Sequence, residues 1–194
     1  GHRPPALAAL AVAIGLALVQ LAGQRLAVSS TLLAAAGGLA LVVFLPALMP
    51  PGFSVRLRGL SAVVGVRGLT AGAFFGVQSF LPLMLVQQRG VSLLVAGGVI
   101  TIGSAGWLAG SWLQSRPWLR ARRDHILTAG AASVVLGVAA LAASAWWPAA
   151  GVVVPVAAYT VAGLGMGLQS NSSALAVMQL SGPALIGRNS SSLQ

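Results

Sequence analysis

Six stretches of the chain, residues 6–23, 29–49, 68–87, 92–113, 126–146 and 152–179, are almost continuously apolar, and the charged residues fall in the gaps between them. A helix of about 20 residues rises about 30 Å, the thickness of a bilayer's hydrocarbon core. Each stretch is long enough to cross once. The third is open to an earlier start near Gly59, because Leu60 to Val66 is also apolar. The ten-residue alternation of a membrane β-barrel strand is absent, and helices satisfy every backbone amide within one segment. The pattern predicts an all-α, polytopic transmembrane bundle of about six spans. We divide it into two helices over 1–50, a linker and helix start over 51–67, and four further helices over 68–194.

Composition sharpens this picture. The chain is 57% hydrophobic and only 6% charged, with mean hydropathy +0.93. Soluble domains carry about 25% charged residues. A water-soluble fold of this composition could not cover its own surface. The net charge is +10, and all eleven basic residues are Arg. They alternate from gap to gap instead of forming the stripe of a nucleic-acid module, so no nucleic-acid partner is expected. Arg3, then Arg56, Arg58 and Arg67, then Arg116, Arg120, Arg122 and Arg123, then Arg188 fall in one set of gaps. Only Arg25 and Arg89 fall in the other, a division of nine against two. Basic loops stay in the cytoplasm, which puts both chain ends inside. Trp146 and Trp147 then mark the outer boundary, and Trp112 and Trp118 flank an inner loop. Trp107 lies deeper and reads as a packing residue. Pro46, Pro82, Pro148 and Pro155 fall within or beside spans, and Pro82 is expected to bend the third helix.

Candidate chemistry is sparse. Asp124 is the single carboxylate, in Arg122-Arg123-Asp124-His125, so paired-carboxylate catalysis is excluded. His2 and His125 lie in loops, remote from any organised triad. The expectation is no enzyme, no cofactor and no metal. Cys is absent. The run Gly163-Leu164-Gly165-Met166-Gly167 lacks the preceding strand of a phosphate loop. Neither Asn171-Ser172-Ser173 nor Asn189-Ser190-Ser191 is expected to be glycosylated. The chain starts without Met and stops after Ser190-Ser191-Ser192-Leu193-Gln194, which reads as a fragment. Its Ala, Gly and Arg usage suggests a GC-rich bacterial genome.

Glycine and amide spacing says more. Gly103, Gly106 and Gly110 share one helical face, while Gly72 with Gly76 and Gly163 with Gly167 form G-x-x-x-G pairs. Small residues of this kind let helices approach closely in lipid. Residues 71–79 and 162–170 share the pattern A-G-x-x-x-G-x-Q-S. The two copies would run in opposite directions, as inverted repeats of transporters do, although an Ala/Gly-rich chain also produces such matches by chance. Gln78, and Gln169 with Ser172 and Ser173, lie on the faces opposite these glycines. Polar groups there suit either a water-filled cavity or an interhelical hydrogen bond. With Asn171 they are the candidate substrate-binding residues; Ser79 and Ser170 read as ordinary interhelical bonds.

The run from Arg67 to Gly76, followed by Phe80-Leu81-Pro82-Leu83, resembles major facilitator superfamily transporters. So do Arg89-Gly90-Val91-Ser92, Gly103-Ser104-Ala105-Gly106-Trp107, Gly110-Ser111-Trp112-Leu113-Gln114, Gly163 to Gly167, and Gly187-Arg188-Asn189-Ser190. The likeness is to actinobacterial drug-efflux members with extra central helices, and it is weaker over 1–50. It implies that 59–179 holds the first four helices of the C-terminal half, with the remaining helices elsewhere in the same protein. It also implies proton-coupled export of a small lipophilic substrate from the bacterial plasma membrane. Relatives often carry Glu where Gln78 stands, which puts coupling through that position in doubt. A second reading is a non-transporting scaffold or subunit that binds partner helices. The permease of an ATP-driven pump would need a longer cytoplasmic helix than any loop here.

Overall fold

The computed structural model describes residues 5–23, 28–49, 59–116, 123–147, 149, 151–181 and 186–191. Arg3, Arg25, Arg56, Arg58, Arg120, Arg122, Trp118, Pro148 and His2 lie outside them, as do the side chains of Arg123, Asp124 and Arg188. The described residues are helical and contain no strand. The helices are α1 (Pro5–Gly23), α2 (Val28–Leu48), α3 (Leu60–Arg89), α4 (Leu93–Gln114), α5 (Arg123–Ala145), α6 (Val153–Leu180) and the short α7 (Ile186–Ser191). Five stretches, within α2 to α6, are long and apolar enough to cross a membrane, and the apolar part of α1, Ala6–Ala22, is shorter.

The chain forms two compact units, Gly1–Val55 and Arg56–Gln194. The first is the hairpin α1–α2. Gly15 and Gly37 meet at its crossing, where a Cβ on Gly37 would lie 2.5 Å from the Gly15 carbonyl oxygen. Leu32 and Val42 remain 71% and 74% exposed. A helix that is apolar all round, with its outer face uncovered, is suited to lipid.

In the second unit α3 takes the earlier of its two expected starts, at Leu60, eight residues before 68. Nothing in Leu60 to Val66 opposes a helix, and Arg67 is accommodated inside it. Pro82 also sits within α3, where it removes the hydrogen bond that would end on the Gln78 carbonyl. The helix ends at Gly90, whose φ of 63° closes the last turn through bonds from its N–H to the Leu85 and Val86 carbonyls. Ser92 then caps α4 by accepting the Val95 N–H at 3.3 Å. A three-residue turn therefore reverses the chain. Arg89 donates to the Ser144 carbonyl at 2.7 Å, placing positive charge at the C-terminal end of α5, where the helix dipole favours it.

Helix directions follow from the contacts. Gly103 meets Gly163, Gly110 meets Gly167, and Gln114 meets Ser172, so α4 and α6 are parallel. Gly130 meets Gly165 and Gly137 meets Ala158, so α5 opposes α6. Thr70 meets Gln169 and Phe74 stacks on Tyr159, so α3 opposes α6 as well. The four helices alternate in direction, with α6 at their centre. The core joins Phe74, Leu81 and Leu85 of α3 to Val99, Val134, Tyr159 and Met166.

Glycine sets the separations around α6. A Cβ on Gly106 would overlap the Thr160 carbonyl, one on Gly110 that of Leu164, and one on Gly167 that of Trp107. On the α5 side, a Cβ on Gly165 would lie 2.5 Å from the Gly130 carbonyl oxygen, and one on Gly137 2.6 Å from that of Ala158. The Gly72–Gly76 pair is different. Both glycines are exposed, and a Cβ on either would meet nothing within 4 Å. The expected packing stripe of α3 faces away from the unit, because α3 buries the face that carries Val64, Thr70, Phe74, Leu81 and Leu85 instead.

Gly163→Leu or Gly165→Leu is therefore expected to lower stability by about 1–3 kcal/mol, the cost of overpacking a close contact. Gly72→Leu and Gly76→Leu should stay within about 0.5 kcal/mol. Unfolding in mixed micelles, followed by circular dichroism, checks both.

Candidate functional site

The polar side chains of this unit gather where α3 and α4 meet the C-terminal half of α6. Arg67 Nη1 donates to Ser170 Oγ at 2.9 Å, and Ser170 Oγ donates in turn to the Met166 carbonyl at 2.6 Å. One turn along α3, Gln169 Nε2 donates to Thr70 Oγ1 at 2.6 Å and lies 3.2 Å from Met166 Sδ. Thr70 passes its own proton to the Val66 carbonyl at 2.8 Å. Ser173 Oγ donates to the Gln169 carbonyl at 2.6 Å. On the α4 side Gln114 Nε2 donates to Ser172 Oγ at 2.6 Å. Three side-chain bonds thus tie α6 to two helices that cross it in opposite senses.

The layer is enclosed on its inner side. Gln169, Ser172 and Ser173 are 0%, 0% and 1% exposed. Gln169 Oε1, Gln114 Oε1 and the Tyr159 hydroxyl are buried and without a hydrogen-bond partner among the described residues. An unmet acceptor at this depth is costly, so each of these carbonyl oxygens is a place for a water or another donor.

Comparison of the chain with protein-family models, with curated proteins and with solved structures returns no match.

The geometry of the polar layer divides the five residues expected to contact substrate. Gln169, Ser172 and Ser173 are enclosed between helices and do not line an open face. The reason is that α6 is covered on three sides, so the surface opposite Gly163 and Gly167 is also buried. Asn171 is on the exposed side of α6, and Gln78 is half-buried on α3. Gln78 lies eight residues from Thr70, about 12 Å along the helix, so the structure does not bring it to Gln169. Among the described residues Ser79 bonds only to its own helix, at the Phe75 carbonyl, 2.9 Å away. The two copies of A-G-x-x-x-G-x-Q-S thus have unlike surroundings: Gly163, Gly167 and Gln169 are buried, while Gly72 and Gly76 are exposed. Trp107 packs edge-on against Phe74 at 5.6 Å between centroids. Arg116 lies over the Trp112 ring at 3.8 Å, and His125 is exposed in the first turn of α5.

Sequence reasoning passed over Thr70, Gln114, Gly130, Gly137 and Gly165. The signal for the first two was present, since each is a hydrogen-bonding side chain inside an apolar run. Gly130 and Gly137 sit seven residues apart on one face of α5, the spacing already informative in α4.

A double-mutant cycle of Thr70→Ala with Gln169→Ala should give a coupling of about 0.6 kcal/mol and no more than about 1.7, the range for hydrogen bonds between membrane helices. The cycle of Gln78→Ala with Gln169→Ala should give none. Both are read by reversible unfolding in bicelles.

Proposed function

We propose that this chain is part of a secondary active transporter of the major facilitator type, exporting small lipophilic molecules in exchange for protons by alternating access. The observation that carries the reading is the polar layer between α3 and α6. Polar and ionisable side chains at membrane depth are expensive and tend to mark the paths of substrates and ions. This layer contains a guanidinium and a fully buried amide with an unmet carbonyl oxygen, in a chain with very little polarity to spare. The alternation of helix directions and the nine-to-two partition of Arg support a multi-pass protein with its Arg-rich loops in the cytoplasm and both chain ends inside. The quoted motif residues and Ala/Gly/Arg usage support the family and a bacterial plasma membrane.

In this reading the Arg67–Ser170, Thr70–Gln169 and Gln114–Ser172 bonds form the seam along which helices shift as access alternates. Substrate contact falls to the wetter side chains, Gln78 and Asn171. Gln78 has no proton to exchange, so coupling protons would pass through another part of the transporter.

The second reading, a scaffold that binds partner helices, is favoured by one observation. The exposed Gly72–Gly76 face of α3 carries Leu69 and Phe80, 69% and 70% exposed, and suits a close helix neighbour. The remaining helices of a transporter would cover the same face.

Everted membrane vesicles carrying the full-length protein test the choice. Transport predicts dye uptake that follows an imposed proton gradient. It also predicts a decrease of about tenfold in Gln78→Leu with Gln169→Leu, equal to ~1.4 kcal/mol at the limiting step. Dye movement that ignores the gradient rejects it in favour of the scaffold; gradient-driven uptake that is unchanged in the double variant rejects the roles given to Gln78 and Gln169.

A further inference from the structure

Arg67 stands seven residues inside α3, about 10 Å from the start of the helix. Its guanidinium has five N–H donors. One is spent on Ser170 at 2.9 Å, and the Arg67 side chain makes no other hydrogen bond among the described residues. Two nitrogens of Arg89 are buried without a partner, but none of Arg67 is, so its unused donors open outward from the α3–α6 seam. Ser170 fixes the direction of this fork. Its proton is committed to the Met166 carbonyl, leaving only a lone pair to face Arg67.

A fixed cation at this depth needs a counter-charge. These 194 residues have one acid, Asp124, against eleven Arg, so pairing among them can neutralise at most one. The depth identifies the source. The 30 residues of α3 extend about 45 Å, which leaves about 7 Å beyond each edge of a centred ~30 Å hydrocarbon core. The Arg67 backbone then lies about 3 Å inside that edge, and its side chain reaches the level of the lipid phosphates. The same end of the unit holds Arg116, and the sequence is rich in Arg before α3 and between α4 and α5. Such a field favours an anionic over a zwitterionic lipid.

We propose that Arg67, held by Ser170, seats the phosphate of an anionic phospholipid at the α3–α6 seam. The fork matches phosphate oxygens in pairs. The assignment does not rest on the transport reading. A lipid seated here would meet the helix pair joined by the Thr70–Gln169 bond, and so would bias how these two helices pack.

Native mass spectrometry of the detergent-purified full-length protein, titrated with phosphatidylglycerol, phosphatidylcholine or inorganic phosphate, tests it. Phosphatidylglycerol should bind in preference to phosphatidylcholine. Arg67→Gln should weaken that binding about tenfold, the loss of one charge-assisted contact. Arg116→Gln makes the same change in net charge and should alter it less than about twofold. Equal effects of the two variants would reduce the site to general electrostatics and overturn the proposal. Inorganic phosphate competing at the same Arg67-dependent site would overturn the lipid as its source. Ser170→Ala keeps the charge and covers the case in which Arg67→Gln does not fold. It should weaken binding about threefold, and unchanged affinity there would overturn the proposal as well.

Discussion

The absence of water around the helices is the constraint on which the rest of the structure depends. Outward-facing side chains such as Leu94, Leu108 and Leu136 are 86%, 71% and 67% exposed. In water a surface of this kind would aggregate; in lipid it is the surface required. The same environment removes the hydrophobic drive for one helix to bury itself against another. What remains is close van der Waals contact, backbone approach and a few hydrogen bonds. The unit around α6 uses all three. Glycines on α4, α5 and α6 bring backbones into direct contact, and the few polar side chains add the bonds.

This explains why α6 is the most buried helix without being the most apolar. Gly163 and Gly167 admit α4 on one side, and Gly165 admits α5 on another. The remaining side carries Tyr159, Met166 and Gln169 against α3. A helix enclosed on three sides has no lipid-facing polar stripe to hide, so it can hold an amide and two hydroxyls at depth. Within this layer the cost falls on polar atoms that no helix reaches, the Gln169 and Gln114 carbonyl oxygens and the Tyr159 hydroxyl. Arg67 and Arg89, on one helix, show the two ways this fold places a guanidinium. Arg89 covers the end of α5, whereas Arg67 is fixed by a hydroxyl and leaves most of its donors free.

Much of the fold was legible in the chain because span length is a one-dimensional property. Apolar runs and Arg-bearing gaps gave the helices from α2 to α6 to within a few residues at most ends. The start of α3 at Leu60 is the earlier of the two that the apolar pattern allows; a lone Arg67 left the choice open, because an Arg stops a span only if nothing orients it. Partners were less legible. Spacing shows that Gly72 and Gly76 make a flat face on α3, but not whether a neighbour covers it. For Gln169, the sequence displays the expense of a buried amide; its partner, Thr70, lies 99 positions away on a helix whose rotation no local pattern encodes. The choice between cavity and interhelical bond therefore needed the three-dimensional arrangement.

The account stands on these helices threading a bilayer in alternating directions. The chain has no native Cys, so single cysteines report cleanly. Leu57→Cys lies before α3 and Ala149→Cys lies between α5 and α6, and each would be treated with a membrane-impermeant maleimide on intact cells. Labelling of position 149 alone, with position 57 reacting only after permeabilisation, is the predicted result. Equal labelling of both on intact cells, or labelling of position 57 alone, would contradict it.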